Sequence, residues 1–372
     1  MNNMYKYVKT FGNLSFDEKG VTEVDILIFT QISYANFKDV VPNEGIGIKL
    51  NDAWETAKKN NEIIRGTSHN NAVKLLNVIS KSIRYKDLIL KNYEYCLRDD
   101  VQFGAVTIEV PNDYVYICFE GTDDSIYGWK EDFKMTYMYP IEAQKMAYRY
   151  LNREVRFSNS DVVISGHTKG GNLSLVGAMN MNLFKKVKIA KIYSFDGPGL
   201  KKKEFRSLNY RMIRKKLINV IPNKSIIGIL LEQENLHVIK SFGLGIFQHD
   251  PATWVIDGDK FKLSTQDRSS KRLDKSINRW LEKHDYSERE EIIEGIFSIF
   301  EKAKIYSTYD MKDKKIKTFA SLLKSSLDID KETREVIIES FKILINDVST
   351  DFIEDGKKIV TEVMEKHFKK KA

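Results

Sequence analysis

Apolar positions along this chain recur first at helical spacing, then in short continuous runs, then at helical spacing again. Between Asp17 and Phe37 they fall at Val21, Val24, Ile26, Leu27, Ile28 and Ile32, with Tyr34 and Phe37 following. Pro42 and two nearby glycines mark a turn. Residues 51–98 read as helix in pieces, and Asn71 to Ile83 carries Ala72, Val73, Leu75, Leu76, Val78, Ile79 and Ile83 on that period. The pattern predicts a helical leading segment, residues 1–100, packed on the core.

From Phe103 the runs shorten and become β-branched and aromatic. Phe103–Val110 and Tyr114–Phe119 flank Pro111-Asn112-Asp113, the spacing of a β-hairpin. The second run is apolar on both faces, as a central strand requires. Ile141 to Leu151 predicts a helix. Further strands are expected at Val162–Ile164, Lys188–Phe195, Lys216–Ile221 and His237–Ser241. Strand and helix alternating at these intervals predict an α/β core over residues 101–263, with a mostly parallel sheet covered on both faces. From about Ser264 the helical period returns: Ser287-Glu288-Arg289-Glu290 reads as a capping box ahead of Ile292, Ile293, Ile296, Phe297 and Phe300. Asp330–Ile345 and Lys357–Phe368 repeat the stripe, so residues 264–372 are expected as a helical extension.

The chemistry concentrates where one strand meets one helix. Val162-Val163-Ile164 runs into Gly166-His167-Thr168-Lys169-Gly170, and a helical pattern with Leu173, Val176 and Gly177 on one face comes at once after it. Strand, Gly-x-nucleophile-x-Gly, helix is the nucleophile elbow of α/β-hydrolases. Gly166 and Gly170 are required because side chains two residues either side of so sharp a turn would collide. A hydroxyl at Thr168 then stands at the strand's carboxyl end, above a helix N-terminus whose N–H groups favour a developing oxyanion. The elbow holds its central residue in a left-handed backbone region, where a β-branched side chain is unusual.

A hydroxyl nucleophile needs a base and an orienting acid, and in this fold they come after it in the order acid, histidine. His237, His249, His284 and His367 lie beyond Thr168. Only His249 lies in a glycine-rich loop just past the last strand, so it is the candidate base. Two acids are candidates: Asp196, which ends the strand after the elbow helix, and Glu232. Glu204 and Glu234 read as solvated, and His167 reads as structural support. The oxyanion donors expected are the amide of Lys169 and the amide of the Gly121-Thr122 loop, with the Thr122 hydroxyl as a third.

Composition narrows the class. The chain has 372 residues, 42% hydrophobic and 30% charged, as in globular proteins. Cys96 and Cys118 offer no disulfide framework and no metal spacing. With no basic-then-apolar leader and no apolar run near ~18 residues, a cytoplasmic protein without a membrane span is expected. The net charge of +8 lies partly in Lys185-Lys186, Lys201 to Lys203, Arg211 to Lys216 and Lys369 to Lys371. No nucleic-acid motif accompanies these runs, so nucleic acid is not an expected partner. Peripheral contact with an anionic membrane stands as an alternative to a plain solvated surface. No cofactor or metal is expected, and a phosphate-binding loop is excluded because Lys169 precedes its paired glycines.

Five stretches together carry a resemblance: Phe119 to Ser125, Gly128 to Phe133, Gly166 to Leu173, Phe195 to Gly199, and Gln248 to Pro251. In this order they resemble the bacterial DUF2974 (Mbeg1-like) family of the lipase-like α/β-hydrolase superfamily, over roughly residues 20–300. The resemblance implies an α/β-hydrolase fold with a core like that of class 3 lipases. The family pattern carries Ser where this chain has Thr168, and Arg where it has Glu120. Class 3 lipases place their acid after the strand that here ends near Asn223, where Pro222 to Gly228 holds no carboxylate. The expected activity is hydrolysis of a carboxylic ester, of a small molecule or an acyl lipid, by Thr168 with His249 as base. The alternative is a hydrolase-fold protein impaired in catalysis that binds a ligand or a protein partner.

Overall fold

The computed structural model describes residues 3–61, 67–98, 101–123, 125–156, 160–243 and 248–306. The helices expected at 330–345 and 357–368, and the lysines at 369–371, lie outside the described residues.

The chain opens with α1 (Met4–Phe11) and α2 (Glu23–Ile32), then β1 (Ile48–Lys49), α3 (Leu50–Asn61) and α4 (Thr67–Ile79). Strands β2 (Ile89–Arg98), β3 (Val101–Glu109) and β4 (Val115–Phe119) come after these. Next are α5 (Ile126–Lys134), α6 (Glu142–Glu154), β5 (Val162–His167), α7 (Lys169–Asn180) and β6 (Ile189–Phe195). The core ends with α8 (Lys202–Phe205), α9 (Leu208–Ile213), β7 (Leu217–Pro222), β8 (Leu236–Ile239) and a small ribbon of β9 (Ile256–Asp257) and β10 (Lys260–Phe261). Two long helices, α10 (Arg268–Lys283) and α11 (Tyr286–Lys302), complete the described chain.

Strands β1 to β8 form one sheet in sequence order. Pairings are antiparallel from β1 to β4 and parallel from β4 to β8. Because each crossover steps in the same direction and is right-handed, α6, α7 and α9 must lie on one face. Side-chain alternation then divides the core. Ile117, Phe119 and Ile164 pack with Ala147, Tyr150, Leu151, Leu173, Val176 and Ile213 on that face. Tyr116, Cys118, Val163 and Phe195 point to the other face, which Met4, Leu27, Ile28, Phe29, Leu76 and Ile79 of the leading helices cover. The apolar run Ile26 to Phe29 in α2 has its reason here, since every residue from Val24 to Ile32 is buried. Asp25 is the charged exception. It takes Nε and Nη2 of Arg84 at 2.9 and 2.7 Å, the hydroxyls of Tyr7 and Tyr85 at 2.9 and 2.6 Å, and the Thr22 N–H at 2.9 Å.

The leading segment is not the all-helical unit that its pattern predicts. Residues 89–98 form β2, antiparallel to β3. The register shifts between Lys91 and Glu94, where Asn92 has φ 54°. This bulge spaces the buried Leu90 and Tyr93 three apart rather than two, so the strand carries a helix-like signature. The cap of α11 also differs from the expected one. Asp285, ahead of the expected Ser287, caps the helix and pairs reciprocally with Glu288.

Residues 264–306 hold α10 and α11 as the pattern predicts, and these pack over α5 rather than apart from the core. Ile126 and Tyr137 share a cluster with Trp280, Leu281, Ile293 and Phe297. Lys130 pairs with Glu294 at 2.6 Å, and Arg289 Nη1 donates to the Thr136 carbonyl at 2.7 Å.

Candidate active site

Thr168 sits between β5 and α7 at φ 52°, ψ −126°. Among the described non-glycine residues with positive φ it alone is β-branched, so this backbone is strained. A Cβ on Gly166 would collide with the Gly170 backbone, and one on Gly170 with the Phe119 carbonyl at the end of β4. Gly166 is therefore dictated by the sharpness of the turn itself, and Gly170 by the approach of the turn to β4. The Thr168 methyl group lies against Gly121, where any Cβ would strike it. Thr168 is 4% exposed, and among the described residues no hydrogen bond joins its hydroxyl to the His249 ring.

His249 comes after the loop beyond β8, of which 244–247 lie outside the described residues. Its Nδ1 lies 2.7 Å from Oδ2 of the fully buried Asp196. A carboxylate oxygen only accepts, so Nδ1 carries the proton and Nε2 of the neutral ring is left as a base. Asp196 ends β6 with φ 48°. Its other oxygen accepts the Ser225 hydroxyl at 2.5 Å and the Gly228 N–H at 3.0 Å. These donors come from the segment after β7, the position from which class 3 lipases supply the acid itself. Glu232, the other candidate acid, is exposed and its backbone pairs with Leu200, so it is not brought to His249. Of the carboxylates read as solvated, Glu204 is buried, and Glu234 accepts the Tyr210 hydroxyl at 2.8 Å.

His167 holds the base in place. Its Nε2 lies 2.9 Å from the His249 carbonyl oxygen and its Nδ1 lies 3.0 Å from the Tyr34 hydroxyl. The carbonyl can only accept, so Nε2 is protonated and Tyr34 donates to Nδ1. Burial, and then the neighbouring His249, hold the His167 imidazole well below its usual range, which keeps it neutral.

The loop Gly121-Thr122 lies against the elbow: a Cβ on Gly121 would also meet the His167 carbonyl and the Tyr34 hydroxyl. The expectation for the Thr122 hydroxyl needs correction, because it already donates to Asp132 Oδ2 at 2.5 Å. Beneath the loop, the Lys169 ammonium donates to Gln102 Oε1 at 2.7 Å and Glu131 Oε2 at 2.8 Å. The Glu120 side chain lies over Gly104 of β3. Burial, reinforced by Asp123, pushes its carboxyl up to about 8. Burial pushes Asp132 up to about 7. Neutral forms thus blunt the negative charge that this cluster would otherwise set beside the site. Tyr34 from past α2, Gln102 from β3 and the adjacent Glu131 and Asp132 from α5 are neighbours whose meeting at the elbow spacing along the chain could not supply.

The Mbeg1-like family model matches residues 79–298, well over half of the chain. The chain belongs to the Mbeg1-like family. Within the Mbeg1-like match lie the elbow, Asp196, His249 and the Gly121-Thr122 loop. The crystal structure of M37 lipase is a similar solved structure, at 15% identity and a TM-score of 0.36, covering 56% of this chain and 70% of that one. No curated protein matches the chain. Among the described residues of this Mbeg1-like protein, no cluster of His, Cys, Asp and Glu could hold a metal, and no helix is long and apolar enough to cross a membrane.

Proposed function

We propose that this protein hydrolyses a carboxylic ester, of a small molecule or of an acyl lipid, through a hydroxyl nucleophile at Thr168. The observation that carries the reading is the 2.7 Å bond from His249 Nδ1 to Asp196 Oδ2, with both groups at the carboxyl end of the sheet where Thr168 is held at φ 52°. His249 Nε2 takes the Thr168 proton as Oγ1 attacks the ester carbonyl carbon. The oxyanion that forms is held by the N–H groups of Lys169 and Thr122. Collapse expels the alcohol, which receives the proton from His249, and leaves an acyl-threonine ester. Water, deprotonated by His249, then attacks that ester and releases the acid. Asp196 holds the ring in the productive tautomer and offsets its charge. A reducing, cytoplasmic setting fits the two free cysteines, Cys96 and Cys118.

The test is hydrolysis of a series of p-nitrophenyl esters, from acetate to palmitate, by wild type, Thr168→Ser, Thr168→Ala and His249→Ala. Wild type is expected to exceed Thr168→Ala and His249→Ala by at least ~100-fold in kcat. Equal rates for wild type and Thr168→Ala on every ester would overturn the reading.

A further inference from the structure

We propose that Gln102 and the Lys169 ammonium form a positioning device that aims the Thr122 N–H at the oxyanion. This deepens the esterase reading and rests on it. Gln102 lies on β3, 3% exposed, with Nε2 donating to the Gly121 carbonyl at 2.9 Å and Oε1 accepting from Lys169 Nζ at 2.7 Å. An ammonium only donates and a carbonyl only accepts, so the amide has one orientation and cannot flip. In a trans peptide the carbonyl of one residue and the N–H of the next point in opposite directions. Holding the Gly121 carbonyl toward Gln102 therefore turns the Thr122 N–H away from the buried network, into the space beside the elbow. Among the described residues that N–H has no protein acceptor, and the same is true of the Lys169 N–H.

Glu131 ties both parts of the device together. Glu131 Oε2 accepts both Lys169 Nζ at 2.8 Å and the Gln102 backbone N–H at 3.1 Å. Lys169 and Glu131 are 0% and 2% exposed, so neither can trade its partner for water. Thr122 is anchored at its far end by the Asp132 carboxyl. Lys169 thus acts twice. Its backbone is one oxyanion donor, and its side chain reaches through Gln102 to set the direction of the other. A solvent-facing residue at position 169 could do only the first.

Gln102→Glu is the decisive variant. Assayed at about pH 9, above the values to which burial raises Glu120 and Asp132, the carboxylate there still accepts from Lys169 but cannot donate to the Gly121 carbonyl. Gln102→Met removes both bonds at similar volume. With either, kcat on the best ester is expected to fall ~10- to 100-fold while KM stays within a factor of ~3, because only the transition state uses the donor. Affinity for a phenylboronic acid should fall by the same factor as kcat, with circular dichroism confirming that each variant is folded at the assay temperature. The series is run in wild type and in Thr168→Ser. Unchanged kcat in Gln102→Glu, or a loss of kcat without loss of boronic-acid affinity, would overturn the inference. If neither parent hydrolyses any ester, the esterase reading falls separately, and the Thr122 amide then decides this one. A shifted and faster-exchanging Thr122 N–H in Gln102→Glu supports the device, and an unaltered one overturns it.

Discussion

His167 and His249 lie ring on ring, with centroids 4.5 Å and planes 28° apart, and the first donates to the carbonyl of the second. The residue beside the proposed nucleophile thus grips the proposed base through both its ring and its backbone. Tyr34, just past α2, completes the chain of contacts by fixing the His167 tautomer. The leading helices therefore reach the site instead of only covering the sheet.

Loosening these contacts should slow the reaction. Tyr34→Phe removes the hydroxyl that donates to His167 Nδ1, and kcat is expected to fall about 3- to 10-fold. His167→Ala releases the His249 carbonyl and the stacked ring, and a ~100-fold loss is expected, as for a displacement of about 1 Å in a catalytic group. Steady-state rates on one ester, with circular dichroism to confirm folding, check both.

Thr168 carries a β-branched side chain on a backbone held at φ 52°. Serine lacks the branch, so Thr168→Ser is expected to stabilise the fold by about 1 kcal/mol, within the range for strained backbone. It should also raise kcat, by ~10-fold or more, because the freed rotamer lets the hydroxyl turn toward His249. Thermal melts and ester kinetics read the two effects. A slower Thr168→Ser enzyme would mean that the methyl group helps to place the oxygen.

Asp196→Asn tests the acid. The amide can serve His249 only by offering its oxygen, which turns its NH2 toward the Ser225 and Gly228 donors. The alternative orientation forces the wrong histidine tautomer. A drop of ~10³ to 10⁴ in kcat is expected, the order found when such an acid is neutralised. Retention of more than about a tenth of the rate would remove Asp196 from the proposed role.

Buried carboxyls make stability depend on pH. Glu120 titrates at about 8 in the fold, raised by burial, against an ordinary value of 4.5. Asp132 titrates at about 7 against 3.8. Between each pair of values the folded chain holds more protons than the unfolded one, so stability falls as pH rises. The decline should run from about pH 4 to about pH 8. Glu120→Gln mimics the neutral form, and should raise the melting temperature at pH 8 by a few degrees, roughly 2–4 °C, with less effect at pH 5. Melts at the two pH values suffice. An equal shift at both would assign the gain to packing.

The ion pair under α2 bears on stability alone. Asp25 and Arg84 are 0% exposed at their side chains and 2.7 Å apart. Asp25→Ala leaves the guanidinium buried without its partner, and a loss of about 3–5 kcal/mol is expected from denaturant unfolding. The pair makes no contact with the elbow or with His249, so ester kinetics of the fraction that folds should be unchanged.

What the chain declares locally, its sequence determined. The sharp turn at Gly166 to Gly170, the hairpin at Pro111 to Asp113, the strand ends at Asp196 and Asn223, and the helices after Ser264 all come from period, turn residues and steric need, which act within a few residues. The β2 strand was hidden because a single bulge at Asn92 changed its period from two to three. Tertiary structure alone decided the rest. It set Asp196 rather than Glu232 against His249, turned the Thr122 hydroxyl onto Asp132, and brought Tyr34 from past α2 and Gln102 from β3 to the elbow. Those partners are separated by up to 133 positions in the chain, and only the stacking of α2 and the register of β3 on β4 bring them within a hydrogen bond. Spacing along a chain cannot encode such meetings, because a hydrogen bond is chosen by distance in space and by what burial leaves unsatisfied.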